Sequence, residues 1–161
     1  YQFPEKLIPL MVLNMTEGKT LPVYGKGENI RDWIYGEDHN RAVWQIVKNG
    51  KAGQKYNIGG ENEWQNIRLL EKLIEITSRE ANLDISKVKA TVTYVKDRPG
   101  HDARYAIDCS KIKKDLSWER KMTFEQGLEL TVKWYLNHKD WINNIKNGSY
   151  LTWLEKNYRS R

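Results

Sequence analysis

Apolar residues recur at helical spacing along much of the chain. Pro4 and the apolar positions after it predict a first helix over residues 4–17, which Gly18 ends. A second helix is predicted from Glu37 to Gly50, and a longer third helix has Asn66 near its start. The face predicted to be buried on the second helix comprises Ala42, Val43, Ile46 and Val47. The corresponding face of the third helix comprises Asn66, Ile67, Leu70, Leu73, Ile74 and Thr77.

The last part of the chain continues the helical pattern. A short helix over residues 110–116 turns Ile112 and Leu116 inward, and Thr123 with Gln126 predicts a capping box at the start of the next helix. The final segment, residues 140–161, is rich in aromatic residues and is interrupted by Gly148.

Short alternating or apolar runs between the helices predict strands. We expect strands at 21–24, 33–35, 55–58 and 91–95, with a further one at 105–108. The first two are predicted to form a hairpin through Gly25 and Gly27. The pattern is therefore mixed α/β, and residues 1–161 form a single region without repeats or a low-complexity linker.

Composition is typical of a globular protein. Hydrophobic residues make up 39% of the chain, with seven Trp and nine Tyr, enough to build a core in one domain of 161 residues. The longest apolar run, residues 7–13, is too short to cross a bilayer and contains Pro9, and no secretory signal opens the chain. The single Cys109 excludes an internal disulfide and agrees with a reducing compartment, so we expect a cytoplasmic protein.

The formal net charge of +6 raises the possibility of nucleic-acid binding. The basic residues are dispersed, however, and the densest group, residues 111–114, lies beside Asp108 and Asp115. A nucleic-acid partner is therefore our weakest alternative. A ligand with two phosphates needs only two or three cations that converge.

Residues 97–102, Asp-Arg-Pro-Gly-His-Asp, are the most informative segment for chemistry. Pro99 and Gly100 permit a sharp bend that would direct Arg98 and His101 toward one point, an arrangement that suits an anion. The same residues are compatible with a solvated turn between two strands.

Four further positions have both a functional and a structural interpretation. Arg31, like Arg98, offers a planar fork for phosphate oxygens or forms a salt bridge with its acidic neighbour. Asn66 either caps its helix or meets a phosphate together with backbone N–H groups. Pro22 and Tyr24 either form a wall for a pyrimidine ring or belong to an ordinary strand with a buried tyrosine.

Several other chemistries are disfavoured. Three scattered histidines and one cysteine lack the spacing of a zinc site, and no Ser/His/Asp or Cys/His arrangement is visible. Residues 25–30 imitate the start of a dinucleotide loop but lack its third glycine and precede a strand-like segment. Tyr135 and Lys139 satisfy Tyr-x-x-x-Lys by chance, at the end of a predicted helix. We expect no catalytic, metal-binding or cofactor-binding residues in this chain.

The opening residues 1–7, the segments 21–35 and 56–67 and the run 97–108 carry a family resemblance. Together with the acidic run 37–39 and the tail 148–153, they resemble the C-terminal half of dTDP-glucose 4,6-dehydratases, which are extended short-chain dehydrogenase/reductases. The resemblance covers residues 1 to about 158. Gly36 departs from it, because an apolar residue is usual there, and this casts doubt on local strand pairing.

The resemblance implies that this chain is the substrate-binding portion of a Rossmann-type enzyme whose NAD-binding half is absent. The chain begins without Met at the predicted start of a helix, so we expect a piece of a longer protein. In the complete enzyme, NAD takes a hydride from sugar C4, water leaves across C5 and C6, and the hydride returns at C6. The expected partners are the dTDP-sugar and the missing half, with a homodimer for the full-length protein.

The resemblance also implies the ligand residues. Lys6 and Leu7 correspond to contacts with the nucleoside end, Pro22 and Tyr24 to the base and ribose wall, and Arg31 and Asn66 to diphosphate ligands. The remaining matches, which face the diphosphate and hexose, are Arg98, His101 and, less closely, Tyr150. The alternatives are an epimerase or dehydratase of the same superfamily that uses a UDP- or GDP-sugar, and a stand-alone binding module.

Overall fold

The computed structural model describes residues 2–147 of the chain. Helices and short strands are mixed along the sequence, as the pattern predicts. In chain order the elements are α1 (Leu7–Thr16), β1 (Leu21–Tyr24), β2 (Ile30–Asp32), α2 (Gly36–Asn49), β3 (Glu63–Gln65), α3 (Asn66–Glu80), α4 (Ile85–Ala90), β4 (Val92–Val95), α5 (Ser110–Leu116), α6 (Phe124–Asn137) and α7 (Lys139–Asn147).

The main core lies between α1, α3 and α6, which pack against one another. Helix α3 is amphipathic and buries Leu70, Leu73, Ile74 and Thr77, as predicted, together with Leu69 and Ile76. Helix α6 begins at the predicted capping box, in which Thr123 and Gln126 each bond the other's backbone. Helix α1 is shorter than predicted and starts at Leu7. Pro9 is tolerated because first-turn N–H groups have no partner within a helix.

A second, smaller core joins α2 to α5. It consists of Ala42, Cys109, Ile112, Leu116 and Trp118. Ile112 and Leu116 point inward, as predicted. The prediction that Val43 and Val47 are buried is wrong, since these side chains are 42% and 70% exposed and Trp44 between them is 60% exposed. Only the Ala42 side of α2 faces α5, so the neighbouring apolar side lies uncovered in the described part of the chain.

The strands form two separate two-stranded sheets. Strand β1 pairs in parallel with β4, with Tyr24 opposite Val95, and β2 pairs antiparallel with β3. The predicted hairpin is therefore wrong. Gly25 and Gly27 form the expected turn with positive φ, but the following strand is Ile30–Asp32 and residues 33–35 are not a strand. Gly36 starts α2, so no strand pairing depends on it.

Two other predicted strands are not formed. Residues 55–58 and 105–108 have no ladder partner in residues 2–147, although Arg104 makes one bridge to Ile30. A strand needs hydrogen bonds from a neighbour, which local sequence does not specify. Conversely, the sequence pattern missed β3 and α4, because three and six residues are too few to show a period.

No helix within residues 2–147 is long and apolar enough to cross a membrane. The same residues contain no group of three or more His, Cys, Asp or Glu side chains arranged to hold a metal ion.

Asp38 is a buried carboxylate that fastens α2 to the segment before α6. It accepts hydrogen bonds from the backbone N–H groups of Lys121 and Met122, at 3.1 and 3.0 Å, and pairs with Arg41. Burial favours the neutral acid, but the two backbone bonds and Arg41 outweigh it, so the pKa of Asp38 lies below its ordinary value.

We expect Asp38→Asn to lower the free energy of unfolding by about 1–3 kcal/mol at neutral pH, because the amide places a donor against a backbone donor. A depressed folded-state pKa stabilises the protein above the ordinary aspartate pKa, and this stability is lost as pH falls through the folded value. The deficit should therefore shrink in acid. Denaturant unfolding at several pH values measures it, with the exposed Asp115→Asn as control. An equal deficit at all pH values would contradict this account.

Candidate functional site

The ends of β1 and β4 bring two distant segments together. Parallel pairing places Tyr24 beside Val95, and the Gly25 N–H donates to the Val95 carbonyl at 2.9 Å. Both strands continue into loops at this edge. The Tyr24 ring consequently meets His101 edge to face, with ring centroids 6.2 Å apart. Tyr24 is 51% exposed, so the alternative interpretation of Tyr24 as a buried tyrosine in an ordinary strand is wrong.

The turn at residues 97–101 is organised around Asp97. Its Oδ1 lies 2.7 Å from His101 Nδ1 and accepts the backbone N–H of Arg98 at 2.8 Å. Because a carboxylate only accepts, the His101 proton on this side lies on Nδ1. The hydrogen bond from His101, then the Arg98 N–H and the charges of both residues, lower the pKa of Asp97. Gly100 has a φ of +68°, which favours glycine.

The side chains of the two arginines in this region do not form salt bridges with the acidic residues next to them in sequence. Arg98 is exposed, and Asp97 bonds its backbone rather than its guanidinium. Arg31 donates to the carbonyls of Ile30 and Asp102, at 2.6 and 3.0 Å, and not to Asp32. Asp32 instead accepts the backbone N–H groups of Gly60 and Asn62, so the salt-bridge interpretation of Arg31 is wrong.

Asn66 is the first residue of α3 and does not cap it, since Gln65 occupies the N-cap and makes no side-chain cap bond. The Asn66 and Ile67 N–H groups donate to the carbonyls of Asn29 and Gly27, both at 2.9 Å. These two N–H groups are thus already used, and a phosphate contact from Asn66 must come from its side chain. Its Oδ1 is buried without a hydrogen-bond partner in the described structure.

Asp102 lies in the same loop as Arg98 and contacts Arg31. Its carbonyl accepts from Arg31 and from Asn29 Nδ2, at 3.0 and 3.2 Å. A hydrogen bond from the Tyr105 hydroxyl, followed by the charges of Arg31 and Arg98, lowers the pKa of the Asp102 carboxyl. Both guanidinium groups are therefore near one loop, and a doubly charged ligand placed there would meet two cations.

Other predicted site residues are more weakly connected to this cluster. Pro22 is half-buried in β1, two residues from Tyr24 and on the same side of the strand. Lys6 occupies the N-cap of α1 and pairs with Glu5, while Leu7 packs against the main core. Their described contacts do not bring Lys6 or Leu7 to the arginines. Tyr150 lies outside the described residues.

Sequence reasoning missed Asn29 and Tyr105 as parts of the site. Asn29 holds both Asp102 and the start of α3, and the Tyr105 ring lies under Arg31, with the guanidinium carbon 4.3 Å from the ring centroid. The Tyr105 backbone N–H donates to the Ile30 carbonyl at 3.1 Å. Neither residue type indicates such a role alone, because both contacts join segments that are distant in sequence.

A cavity of about 820 Å³ lies elsewhere in the described structure. It lies beside Trp33, Tyr35 and the aromatic side of α6 and contains none of the predicted ligand residues. Tyr135 borders it, but this tyrosine is buried and donates to the Gln2 carbonyl, and burial raises its pKa to about 12. A catalytic tyrosine needs an accessible hydroxyl with a pKa nearer the working pH, so these features argue against a catalytic role for Tyr135 with Lys139.

The family model for GDP-mannose 4,6 dehydratase matches residues 1–131. The dTDP-glucose 4,6-dehydratase of Shigella flexneri is 52% identical over 165 residues, which span 100% of this chain and 44% of the relative. A dTDP-glucose 4,6-dehydratase from Bacillus anthracis str. Ames in complex with NAD is 46% identical, with a TM-score of 0.80 over 90% of this chain and 43% of its own.

A second enzyme of that name, from Streptomyces venezuelae with NAD bound, is 40% identical, with a TM-score of 0.77 over 88% of this chain and 41% of its own. The fold is thus the mixed α/β, Rossmann-like fold of the extended short-chain dehydrogenase/reductases. The chain belongs to the GDP-mannose 4,6 dehydratase family. It spans less than half the length of the relatives it matches.

Proposed function

We propose that this chain is the C-terminal, nucleotide-sugar-binding part of a dTDP-glucose 4,6-dehydratase, a lyase that forms dTDP-4-keto-6-deoxyglucose. The observation that carries the proposal is that Arg31 bonds the Asp102 carbonyl in the loop that also holds Arg98 and His101, and that His101 meets the exposed Tyr24 ring. The family resemblance implies the same residues as ligands. Relatives that are 52% and 51% identical to this chain carry this enzyme name.

Each part of the cluster fits one part of the ligand. Arg31 and Arg98 would bind the diphosphate oxygens, and the Asn66 amide would supplement them. Asp97 fixes the His101 ring with a proton on Nδ1, so that Nε2 faces the ligand: it accepts from a hexose hydroxyl in the neutral ring and donates to a phosphate oxygen when both nitrogens are protonated. Pro22 and Tyr24 would form the base and ribose wall. Lys6, Leu7 and Tyr150 stay proposals from the resemblance alone.

We infer that this chain does not itself hold the dinucleotide. The turn with Gly25 and Gly27 leads into β2 rather than into a helix whose N-terminus could face a pyrophosphate. The role of this chain would therefore be to position the nucleotide, with the chemical step performed elsewhere. NAD, bound in the two related structures, would be held by the other part of the longer protein.

The exposed apolar side of α2 is the proposed contact with that other part. Val43, Trp44 and Val47 are spaced along one side of the helix and are largely exposed. An apolar strip of this kind normally packs against a partner. We further propose that the longer protein is cytoplasmic and forms a homodimer through its other half.

The alternative is a UDP- or GDP-sugar enzyme of the same superfamily. A UDP-glucose 4-epimerase from Thermotoga maritima is 27% identical, with a TM-score of 0.70 over 81% of this chain. Calorimetric titration of the full-length protein with dTDP, UDP and GDP separates the two. We expect dTDP to bind most tightly, and a preference for UDP or GDP would replace the proposed substrate. A binding module would bind the nucleotide but form no 4-keto sugar.

Tyr24→Ala in the full-length protein should weaken the binding of dTDP and of thymidine monophosphate by similar factors, about 2- to 12-fold. A lost aromatic face affects the base whatever the number of phosphates, and such a contact contributes about 0.5–1.5 kcal/mol. Calorimetry with both nucleotides tests this, and Tyr94→Ala, which removes an exposed tyrosine of β4, is the control. Weakening of the diphosphate alone would contradict the wall assignment.

A further inference from the structure

The carboxylate of Asp102 is close to the cations of the candidate site. Arg31 donates to the backbone carbonyl of this residue at 3.0 Å, and the charges of Arg31 and Arg98 both act on the carboxylate. The arginine ion pairs of the described residues nevertheless involve Arg41, Arg68, Arg79 and Arg104 instead. An ionised carboxylate here competes with a phosphate for the same guanidinium groups. The position of the Asp102 carboxylate therefore affects how tightly the site binds a phosphate.

Tyr105 contacts both this competitor and one of the cations. Its hydroxyl donates to Asp102 Oδ2, and its ring lies under the Arg31 guanidinium. Its place is fixed by β2, because the Tyr105 N–H donates to the Ile30 carbonyl and the Ile30 N–H donates to Ala103, at 3.1 and 2.8 Å. The residue is 49% exposed, so the core does not require its ring.

We propose that Tyr105 is a positioning residue of the diphosphate site, whose hydroxyl holds the Asp102 carboxylate away from the arginines and whose ring supports Arg31. A hydrogen bond to a charged carboxylate is strong enough to fix its orientation. The ring also restricts the guanidinium, which pre-organises it for an anion. This inference rests on the proposed function, because it concerns the same ligand.

The test is the dTDP affinity of the full-length protein, measured by calorimetry. Tyr105→Phe removes only the hydroxyl and is expected to weaken binding about 3- to 10-fold, the effect of one hydrogen bond. Tyr105→Leu, which also removes the ring, should weaken it about 2- to 5-fold further. Tyr94→Phe is the matched control and should leave the affinity unchanged. For the sugar substrate, KM should rise in Tyr105→Phe while kcat stays the same.

Removing the competitor should restore binding. The double variant Tyr105→Phe with Asp102→Asn is expected to recover the wild-type affinity within about twofold, because the backbone carbonyl of Asp102 is kept and its charge is gone. A purely structural role of the hydroxyl would instead lower Tm and would not be rescued. An unrescued double variant would overturn the inference. So would wild-type affinity in Tyr105→Phe where Arg31→Ala binds weakly, whereas normal affinity in Arg31→Ala would overturn the site itself.

Discussion

The 161-residue chain, produced without the rest of the longer protein, is expected to form no 4-keto sugar and to bind no NAD. The described residues offer no glycine loop leading into a helix N-terminus, and Tyr135 is buried with a raised pKa. Binding of dTDP-glucose should also be weaker than in the whole enzyme, since a cleft between two parts loses one wall. An assay for the 4-keto product with added NAD measures the loss.

The proposed N-terminal half of the longer protein provides the control for this experiment. Adding a separately expressed N-terminal half should restore some turnover if the exposed side of α2 is the contact between them. Val47→Glu, a charge at a position that is 70% exposed in this chain, should leave its fold intact but reduce this recovery. The same exposed strip should bind an apolar dye or cause self-association. Turnover by the chain alone would refute the assignment of catalysis to the other half.

Arg31→Ala in the full-length protein should weaken dTDP binding by roughly 10- to 150-fold, while the chemical step changes little. The expected factor corresponds to one charge-assisted hydrogen bond of about 1.5–3 kcal/mol. The Arg31 guanidinium is directed by the Ile30 and Asp102 carbonyls and the Tyr105 ring, so the variant removes a group that is already oriented. Calorimetry gives the affinity, and kcat at saturating substrate reports the chemistry.

Arg68→Ala is the matched control for Arg31→Ala. Arg68 lies near the start of α3, pairs with Glu71 and is largely exposed, so its loss should leave dTDP affinity unchanged. Equal dTDP affinity in wild type and Arg31→Ala would remove Arg31 from the site. A matching loss in both variants would instead indicate a general charge effect.

The helices were predictable because each contains enough residues to show its period, as in α3, or a local signal, such as the Thr123 cap of α6. The strand pairing was not. Strand β2 finds β3 about 30 residues later in the chain, and the separate sheets depend on packing that no local pattern records.

Some of the candidate ligand residues could likewise be predicted from the sequence, and others depend on long-range contacts. Arg31, Arg98 and His101 were visible as residue types in a recognisable motif. The Asn66 cap and the Arg31 salt bridge were local alternatives that long-range contacts overrode, because Asn29 and Gly27 take the first N–H groups of α3 and Gly60 and Asn62 take Asp32. The sequence does not indicate a role for Tyr105, because its partners Arg31 and Asp102 come together only in the folded chain.

The parallel pairing of β1 with β4 also affects how the protein folds. The paired residues, such as Leu21 and Val92, are about 70 residues apart, so their contact requires closure of a long loop. Contacts of this kind form slowly and raise the contact order of the fold. Tyr24 and His101 are held together by this pairing, so we expect nucleotide-binding competence to develop in a late, slow phase of refolding, after the helices have formed.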